Sequence, residues 1–469
     1  MDLAMPRSPL FFYNTLSRSK EEFTPLNQGE VGLYSCGPTV YDYAHIGNLR
    51  SYILSDILRR TLEWSGYSIR QVINITDVGH LAGDTTDTGE DKIEQAARAA
   101  SKQVTEITTL YTAAFFDDLV KLNIKTTDTI FPRATAHIPE QIELIKTLET
   151  KGLVYEAADG LYFDTSLYPA YTELGRLNLS GQVAGARVEV TKGKRQPADF
   201  ALWKFSPPGA DRLQEWDSPW GRGWPGWHLE CSAMSMKYLG KHFDLHTGGE
   251  DHIPVHHTNE RAQSECATGE PFVNYWLHNA FITVDGRKMS KSLGNFYTLS
   301  DLAGQGFPAL AYRYFLLGAH YRSPINFTFE ALGAATKAWR KVNTEVASLP
   351  TASKTDDHFM AEFEAAIADD LNTAKGLALL HEVLHSSLDP SVKRATIQKF
   401  DEILGILDLN GKPLANTVIP ETIKSLVQDR EIARGRGDWA QADLLRAEID
   451  KQGYTLKDTS AGPELTPKT

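Results

Sequence analysis

From Val31 to Cys36 the chain carries a short apolar run that stops at the turn pair Gly37-Pro38, the pattern of a buried strand entering a loop. Leu49, Ile53, Ile57, Leu58 and Leu62 then recur at helical spacing between Asn48 and Gly66, where the glycine supplies a stop. Ile69 to Ile75 alternates like a strand. Strand, loop, helix and strand within about 45 residues form a βαβ unit, which predicts a parallel sheet and an α/β fold. Ligands of such sheets gather at the carboxyl ends of the strands, where Cys36 to Asn48 falls.

Further along, Asp91–Lys121 and His137–Gly152 have helical spacing. Between about 120 and 225 the pattern is mixed, with Gly-Pro punctuation and a basic stretch from Arg187 to Lys204, which predicts an insertion splitting the α/β domain. Sheet-like material resumes near Trp227 and runs to about Asn295. From Asp301 the chain reads as helical, at Pro308–His320, Glu330–Leu349, His358–His385 and Val392–Leu407. Asn410-Gly411 and Pro413 interrupt it before two shorter helices, Glu421–Arg434 and Asp438–Lys451. The polar tail from Thr459 to Thr469 is expected to be loose.

Length and composition narrow the class. At 469 residues there is room for about three domains, and 23% charged with 42% hydrophobic residues excludes long disorder. The excess of 60 acidic over 48 basic residues leaves a net charge of −12, which neither advertises a polyanion nor excludes one, since local patches decide contact. Cys36, Cys231 and Cys266 are too few and too scattered for a disulfide framework, which fits a reducing cytosol. No stretch is long and apolar enough to span a membrane, and the start carries no signal-peptide pattern.

Three groups of residues carry candidate chemistry. His45-Ile46-Gly47-Asn48 opens the first helix, where free N–H groups and the dipole favour an anion; His45 and Asn48 add donors, and Gly47 leaves room for a flat ligand. Taken alone, the same string reads as a turn histidine and an ordinary helix start. Lys288-Met289-Ser290-Lys291-Ser292, flanked by Gly286 and Gly294, reads as a solvated loop or as one that closes on a triphosphate. His256 and Glu260, at i and i+4, share a helix face and could grip one cation. Cys36 and Cys231 lack any CxxC spacing and read as core thiols from spacing alone.

Together the His45–Asn48 and Lys288–Ser292 strings resemble the paired signatures of class I aminoacyl-tRNA synthetases. Cys36–Asp42, Asp199–Lys204, Pro225–Met234 and Lys288–Asn295 further resemble cysteinyl-tRNA synthetases, and the resemblance runs from about Phe11 to about Asp458. It implies a Rossmann-like catalytic domain in two halves, residues 1–120 and 226–298, around a connective insertion at 121–225. A stem-contact region (299–330), an α-helical bundle (331–415) and a small anticodon-binding domain (416–469) would follow.

The implied reaction activates L-cysteine with ATP to an adenylate plus pyrophosphate, then esterifies the terminal ribose of tRNA(Cys). His45, Gly47, Asn48, Lys288 and Lys291 would bind ATP, with Mg²⁺ on the nucleotide, and His45, Asn48, Lys288 and Lys291 would stabilise the reacting phosphate. Cys36, Cys231, His256 and Glu260 match the family's ligands for one zinc ion (Zn2+), while Thr76, Trp227, His246 and Asp251 match its substrate pocket. Zinc gives the sorting a physical basis: it binds a thiolate well and a serine hydroxyl poorly at neutral pH, which an apolar pocket could not achieve, so no editing domain is expected. Trp439 and Arg446 are candidate tRNA contacts by stacking and by holding phosphate or base edges. A cytoplasmic monomer is the family expectation.

Departures from the family pattern are visible. The first signature ends in Asn48 where histidine is commoner, Val78–Glu90 is a polar insertion containing His80, and Thr258 replaces a common glutamate between the mapped ligands. The closing tryptophan common in the family is absent, and Cys266 matches no role. The nearest alternative activity is cysteine to amino-sugar ligation by a mycothiol-type paralogue, against which the Arg434–Asp458 resemblance counts. An idle tRNA-binding paralogue would not need intact signatures, and a zinc hydrolase would leave Lys288–Ser292 unexplained.

Overall fold

The computed structural model describes residues 8–79, 81–83, 88–177, 193–207, 209, 212–290, 293–351, 354–408, 421–452, 454–459 and 462–467. At its centre four parallel strands, β1 (Glu30–Ser35), β2 (Ser68–Ile73), β3 (Phe243–Gly249) and β4 (Val273–Asn279), lie in the order β4-β3-β1-β2. Helix α1 (Ile46–Trp64) crosses from β1 to β2, and Leu49, Ile53, Ile57, Leu58 and Leu62 are all buried on it. Helices α2 (Trp227–Leu239) and α3 (Thr258–Thr268) lie before and after β3. Every residue of β3 is buried, as a strand covered on both faces requires.

Between the two halves of this sheet stands a second, antiparallel one, ordered Gly223–Pro225, Phe200–Phe205, Gly160–Phe163, Val154–Ala157. Its core takes in Leu161, Phe163, Leu202 and Trp203 together with Leu229 and Ala233 of α2. A three-stranded sheet then joins Arg287–Lys288, Ile282–Val284 and Ile325–Phe327. Helices Phe329–Ser348, Asp357–Ala368, Thr373–His385 and Pro390–Leu404 follow. The C-terminal part is a helix pair, Glu421–Gly435 and Trp439–Lys451, with a hairpin whose Leu456 packs with Ile423 and Ile449.

Four expectations change. Asp91–Lys121 is two helices, Lys92–Ala100 and Val104–Lys121, because Ser101 closes the first in a left-handed conformation (φ 52°). The segment after Trp227 is helix before it is sheet, since α2 buries His228 through Ser235 without interruption and so loses the periodicity that marks a helix. His358–His385 breaks at Asp370 and Leu371, both left-handed, where the Asp370 carboxylate accepts from the Tyr13 N–H, the Tyr321 hydroxyl and Arg322. Of the tail expected to be loose, Gly462–Pro467 pairs with Tyr454–Thr459, and residues 460, 461, 468 and 469 lie outside the described residues. Asn410-Gly411, Pro413 and the part of the basic stretch that precedes Gly193 lie outside the described residues.

One side chain fixes α1 against the sheet. Arg50, 3% exposed, donates to the carbonyls of Ala280, Phe281, His320, Tyr321 and Ser323 at 2.7–3.3 Å. Burial pulls its guanidinium down to about 10, so it remains charged at neutral pH. Arg50→Met would strand these acceptors, and we expect a loss of about 3 kcal/mol from the urea transition of this domain. An unchanged midpoint would show that the clamp does not stabilise the fold.

Candidate active site

The strand order reverses between β1 and β3, and a cavity of about 390 Å³ opens there. Its lining draws together Cys36, Thr76, Trp227, Cys231 and His256 with His45, Gly47, Asn48, Asp251, Lys288 and Met289. Residues more than 200 positions apart thus share one wall.

His45 caps α1 reciprocally with Asn48. The Asn48 N–H donates to His45 Nδ1 (3.1 Å), and the His45 N–H donates to Asn48 Oδ1 (3.2 Å). Because Nδ1 accepts, the proton of the neutral ring sits on Nε2. The ring stands edge-on to Phe296 at 5.0 Å, and the Ile46 N–H donates to the Tyr297 carbonyl, tying the helix start to the segment after Lys288. A Cβ on Gly47 would lie 2.9 Å from the His45 ring, so glycine here keeps the histidine in place. Burial draws the His45 ring down to about 4, with Asp251 pulling weakly the other way.

Lys288 ends a short strand paired with Thr283. Asn295 spans the loop beyond, donating to the Lys288 carbonyl (3.0 Å) and accepting from the Ser290 N–H (2.8 Å). Lys291 and Ser292 lie outside the described residues.

Ligand atoms of Cys36, Cys231, His256 and Glu260 lie within 4.8 Å of one another, and all four residues are buried. A second set, Cys36, His246, His257 and Glu260, meets the same limit. The sets differ in access: Cys36, Cys231 and His256 line the cavity, whereas His246, His257 and Glu260 lie behind it. Glu260 divides its oxygens, Oε1 to His256 Nε2 (2.8 Å) and Oε2 to His246 Nε2 (2.9 Å). Burial pushes Glu260 up, but the two imidazoles overcome it and hold the carboxylate well below its ordinary range. Burial likewise opposes charge on His256, yet Glu260 and Cys231 raise it to about 10. Burial and the neighbouring Cys231 push the Cys36 thiol up; at Cys231 the bond from Cys36 and the His256 ring reverse the effect of burial, giving about 6.

The predicted pocket residues take different positions. Trp227 stacks on His256 at 4.3 Å, and Thr76 lines the cavity, donating to Glu230 and accepting from Asn74 Nδ2 (3.1 Å). Asp251 lines it with a largely exposed side chain. His246 faces Glu260 and stacks on Trp276, away from the cavity. Trp439 is 62% exposed at the start of its helix, and Arg446 donates to the Leu456 carbonyl (3.1 Å); neither lines the cavity. Cys266 lies partly buried against the core of the antiparallel sheet, and His80 is outside the described residues.

Sequence reading missed the supporting layer. His228 Nδ1 meets His256 Nδ1 at 2.9 Å, and His257 Nδ1 meets His278 Nε2 at 2.7 Å, with Thr15 beyond. Burial holds His257 and His278 well below the ordinary histidine value, so both are neutral. Burial, reinforced by Cys231, keeps the Glu230 carboxyl protonated far above its usual range. The signal available was the density of histidines around residues 246–257, which no single spacing rule captures.

Comparison with known proteins agrees with this layout. Residues 22–337 match the family described as tRNA synthetases class I (C) catalytic domain, and residues 416–462 match the Cysteinyl-tRNA ligase anticodon binding domain. The chain is 49% identical to Cysteine--tRNA ligase 1 of Burkholderia lata, covering 97% of each chain. It is 44% identical to Cysteine--tRNA ligase of Treponema denticola, covering 96% of this chain and 98% of that one. Among solved structures, Mycobacterium tuberculosis methionyl-tRNA synthetase with methionyl-adenylate shares the fold at 17% identity, with a TM-score of 0.55 over 84% of this chain and 92% of that one.

His45 is expected to titrate near pH 4, below the ordinary 6.5, when its ring resonances are followed by NMR. The unfolded chain takes up that proton first, so this group removes stability as pH falls from about 6.5 towards 4. A titration at 6.5 would contradict the capped, neutral ring.

Proposed function

Because this chain belongs to the cysteinyl-tRNA ligase family of class I aminoacyl-tRNA synthetases, we propose that it joins L-cysteine to tRNA(Cys) using ATP. The observation that carries the reading is one cavity bordered by both the His45–Asn48 helix start and the thiol–imidazole–carboxylate cluster. The cysteine carboxylate attacks the α-phosphorus of ATP, pyrophosphate leaves, and the terminal ribose hydroxyl of the tRNA then displaces AMP from the adenylate. No side chain serves as nucleophile; the protein positions the reactants and stabilises charge.

His45 Nε2–H, the Asn48 amide, and Lys288 and Lys291 supply the donors for the phosphates, and Gly47 lets the nucleotide approach the backbone. Mg²⁺ accompanies the ATP. Cys36, Cys231, His256 and Glu260 would hold zinc (Zn2+); two sulfurs, an imidazole and a carboxylate suit that ion, and three of the four line the cavity, whereas only Cys36 of the alternative set does. A zinc ion bound there supplies a soft Lewis acid that prefers a substrate thiolate to a serine hydroxyl. Thr76, Trp227 and Asp251 line the cysteine pocket, and His246 orients Glu260 from behind.

Residues 1–120 and 226–298 form the catalytic domain, 121–225 the connective insertion, 299–330 the stem-contact region and 331–415 the helical bundle. Residues 416–469 read the anticodon, with Trp439 and Arg446 as contacts. The protein works as a cytoplasmic monomer. The match at residues 416–462 disfavours the amino-sugar acceptor.

Charging of total tRNA with labelled cysteine tests this, with serine as control and Cys231→Ala alongside. We expect cysteine ester from the wild type, none with serine, and loss in the variant. Metal analysis should find zinc at about one equivalent per wild-type chain and little in the variant. Cysteine-dependent pyrophosphate exchange without tRNA charging would overturn the acceptor, and zinc retained in the variant would overturn the ligand set.

A further inference from the structure

The loop between β1 and α1 carries an aromatic feature to which the reading above gives no role. Tyr43 lines the cavity yet is 47% exposed. Its ring meets Tyr111 at right angles, 5.0 Å between centroids. Tyr111 is itself half-buried, packed against the main core and against the Ile93–Ile107 cluster. An edge-to-face contact with an anchored ring fixes a plane, so Tyr43 presents a face whose orientation is set beforehand. Nearby on the same lining, Lys92 is the first residue of its helix, capped by Asp91, with Nζ 5.7 Å from the centre of the Tyr41 ring.

A braced aromatic face and a lysine on one cavity lining match what a single-stranded nucleic acid needs: a platform for a base and a charge for a phosphate. The position suits that ligand. Tyr43 lies two residues before His45, and its brace comes from the Val104–Lys121 helix, not from the Met289 and Phe296 side where the Lys288 loop meets His45. The reaction proposed above requires one single-stranded end to reach the cavity from outside, the 3′ terminus of the tRNA.

We propose that Tyr43, braced by Tyr111, together with Lys92 forms the rim over which the tRNA 3′ end enters, Tyr43 stacking on a terminal base and Lys92 pairing with a phosphate. This rests on the tRNA-charging reading. The rim acts only when tRNA is present, so it bears on tRNA KM and leaves adenylate formation alone.

Steady-state charging and tRNA-free ATP–pyrophosphate exchange, run on Tyr43→Ala, Tyr43→Phe and Lys92→Gln, separate the two. Tyr43→Ala should raise the tRNA KM roughly tenfold while exchange stays within about twofold of wild type, and Tyr43→Phe, which keeps the flat face, should charge normally. Lys92→Gln should also raise the tRNA KM, and should reduce the slope of log KM against log salt by about 0.7, one single-strand phosphate contact. An unchanged tRNA KM in Tyr43→Ala overturns the rim. A parallel fall of exchange and charging also overturns it, assigning the tyrosine to the nucleotide, to cysteine or to the fold. If the wild type exchanges pyrophosphate but charges no tRNA, the tRNA-charging reading itself fails, and the rim with it.

Discussion

Helix α1 carries Arg50, Asp56, Arg59 and Arg60 into the interior, away from water, and each guanidinium is given a set of oxygens to hold. Arg50 grips the turn beyond β4 and the segment around His320–Ser323. Arg59 donates to Gln71, the Thr127 carbonyl and Thr129, while Arg60 reaches the carbonyls of Asn123 and Glu402. Asp56, buried on the same helix, receives Arg60 and Arg313 as well as the Lys125 N–H. A buried cation without partners would cost several kcal/mol, so these bonds are obligatory, and they tie sheet, insertion edge and helical bundle to one axis. The amino end of that axis is His45. Its orientation at the cavity follows from contacts made as far along the chain as residue 402.

The two chemical sectors of the cavity work by opposite means. Around His45, backbone amides and a neutral ring face a partly open space, which suits a ligand that brings its own charge. Around Glu260, side-chain charge is packed out of solvent and balanced internally, carboxylate against imidazole against thiol. Such a cluster is expensive to bury unless its members pair or share a cation. Neutral His257 and His278 and protonated Glu230 surround it without adding charge, which keeps the balance local.

Much of the scaffold was legible in the chain, because α1 and β1 obey local periodicity and their apolar residues are indeed interior. The reading failed where burial or a distant partner overrode the local pattern. Helix α2 is buried along both faces, which erases the alternation that identifies a helix. The break at Asp370–Leu371 depends on Tyr13, Tyr321 and Arg322, none of them visible from the local sequence. At the site, the His256–Glu260 spacing was readable as a cation grip, but Cys36 and Cys231 stood out only through family resemblance. Spacing along a chain says little about two thiols delivered by different secondary elements. The histidines behind them were invisible for the same reason, since their function is to touch one another.

One junction links the edge of the molecule to its interior. The strand Gly223–Pro225 belongs to the insertion's sheet, and α2 begins two residues later, with only Gly226 between them. The Gly226 N–H is bonded to the Leu202 carbonyl at 2.9 Å, and Leu229 and Ala233 belong to the insertion's own core. In mechanical terms the sheet and the helix are coupled by that bond and by their common core. Trp227 and Cys231 stand within about one turn of that junction, so the place of the indole and of the sulfur at the cavity depends on how the insertion's sheet is seated. The antiparallel sheet and the Cys231 thiol are therefore joined through one short helical turn and one shared core.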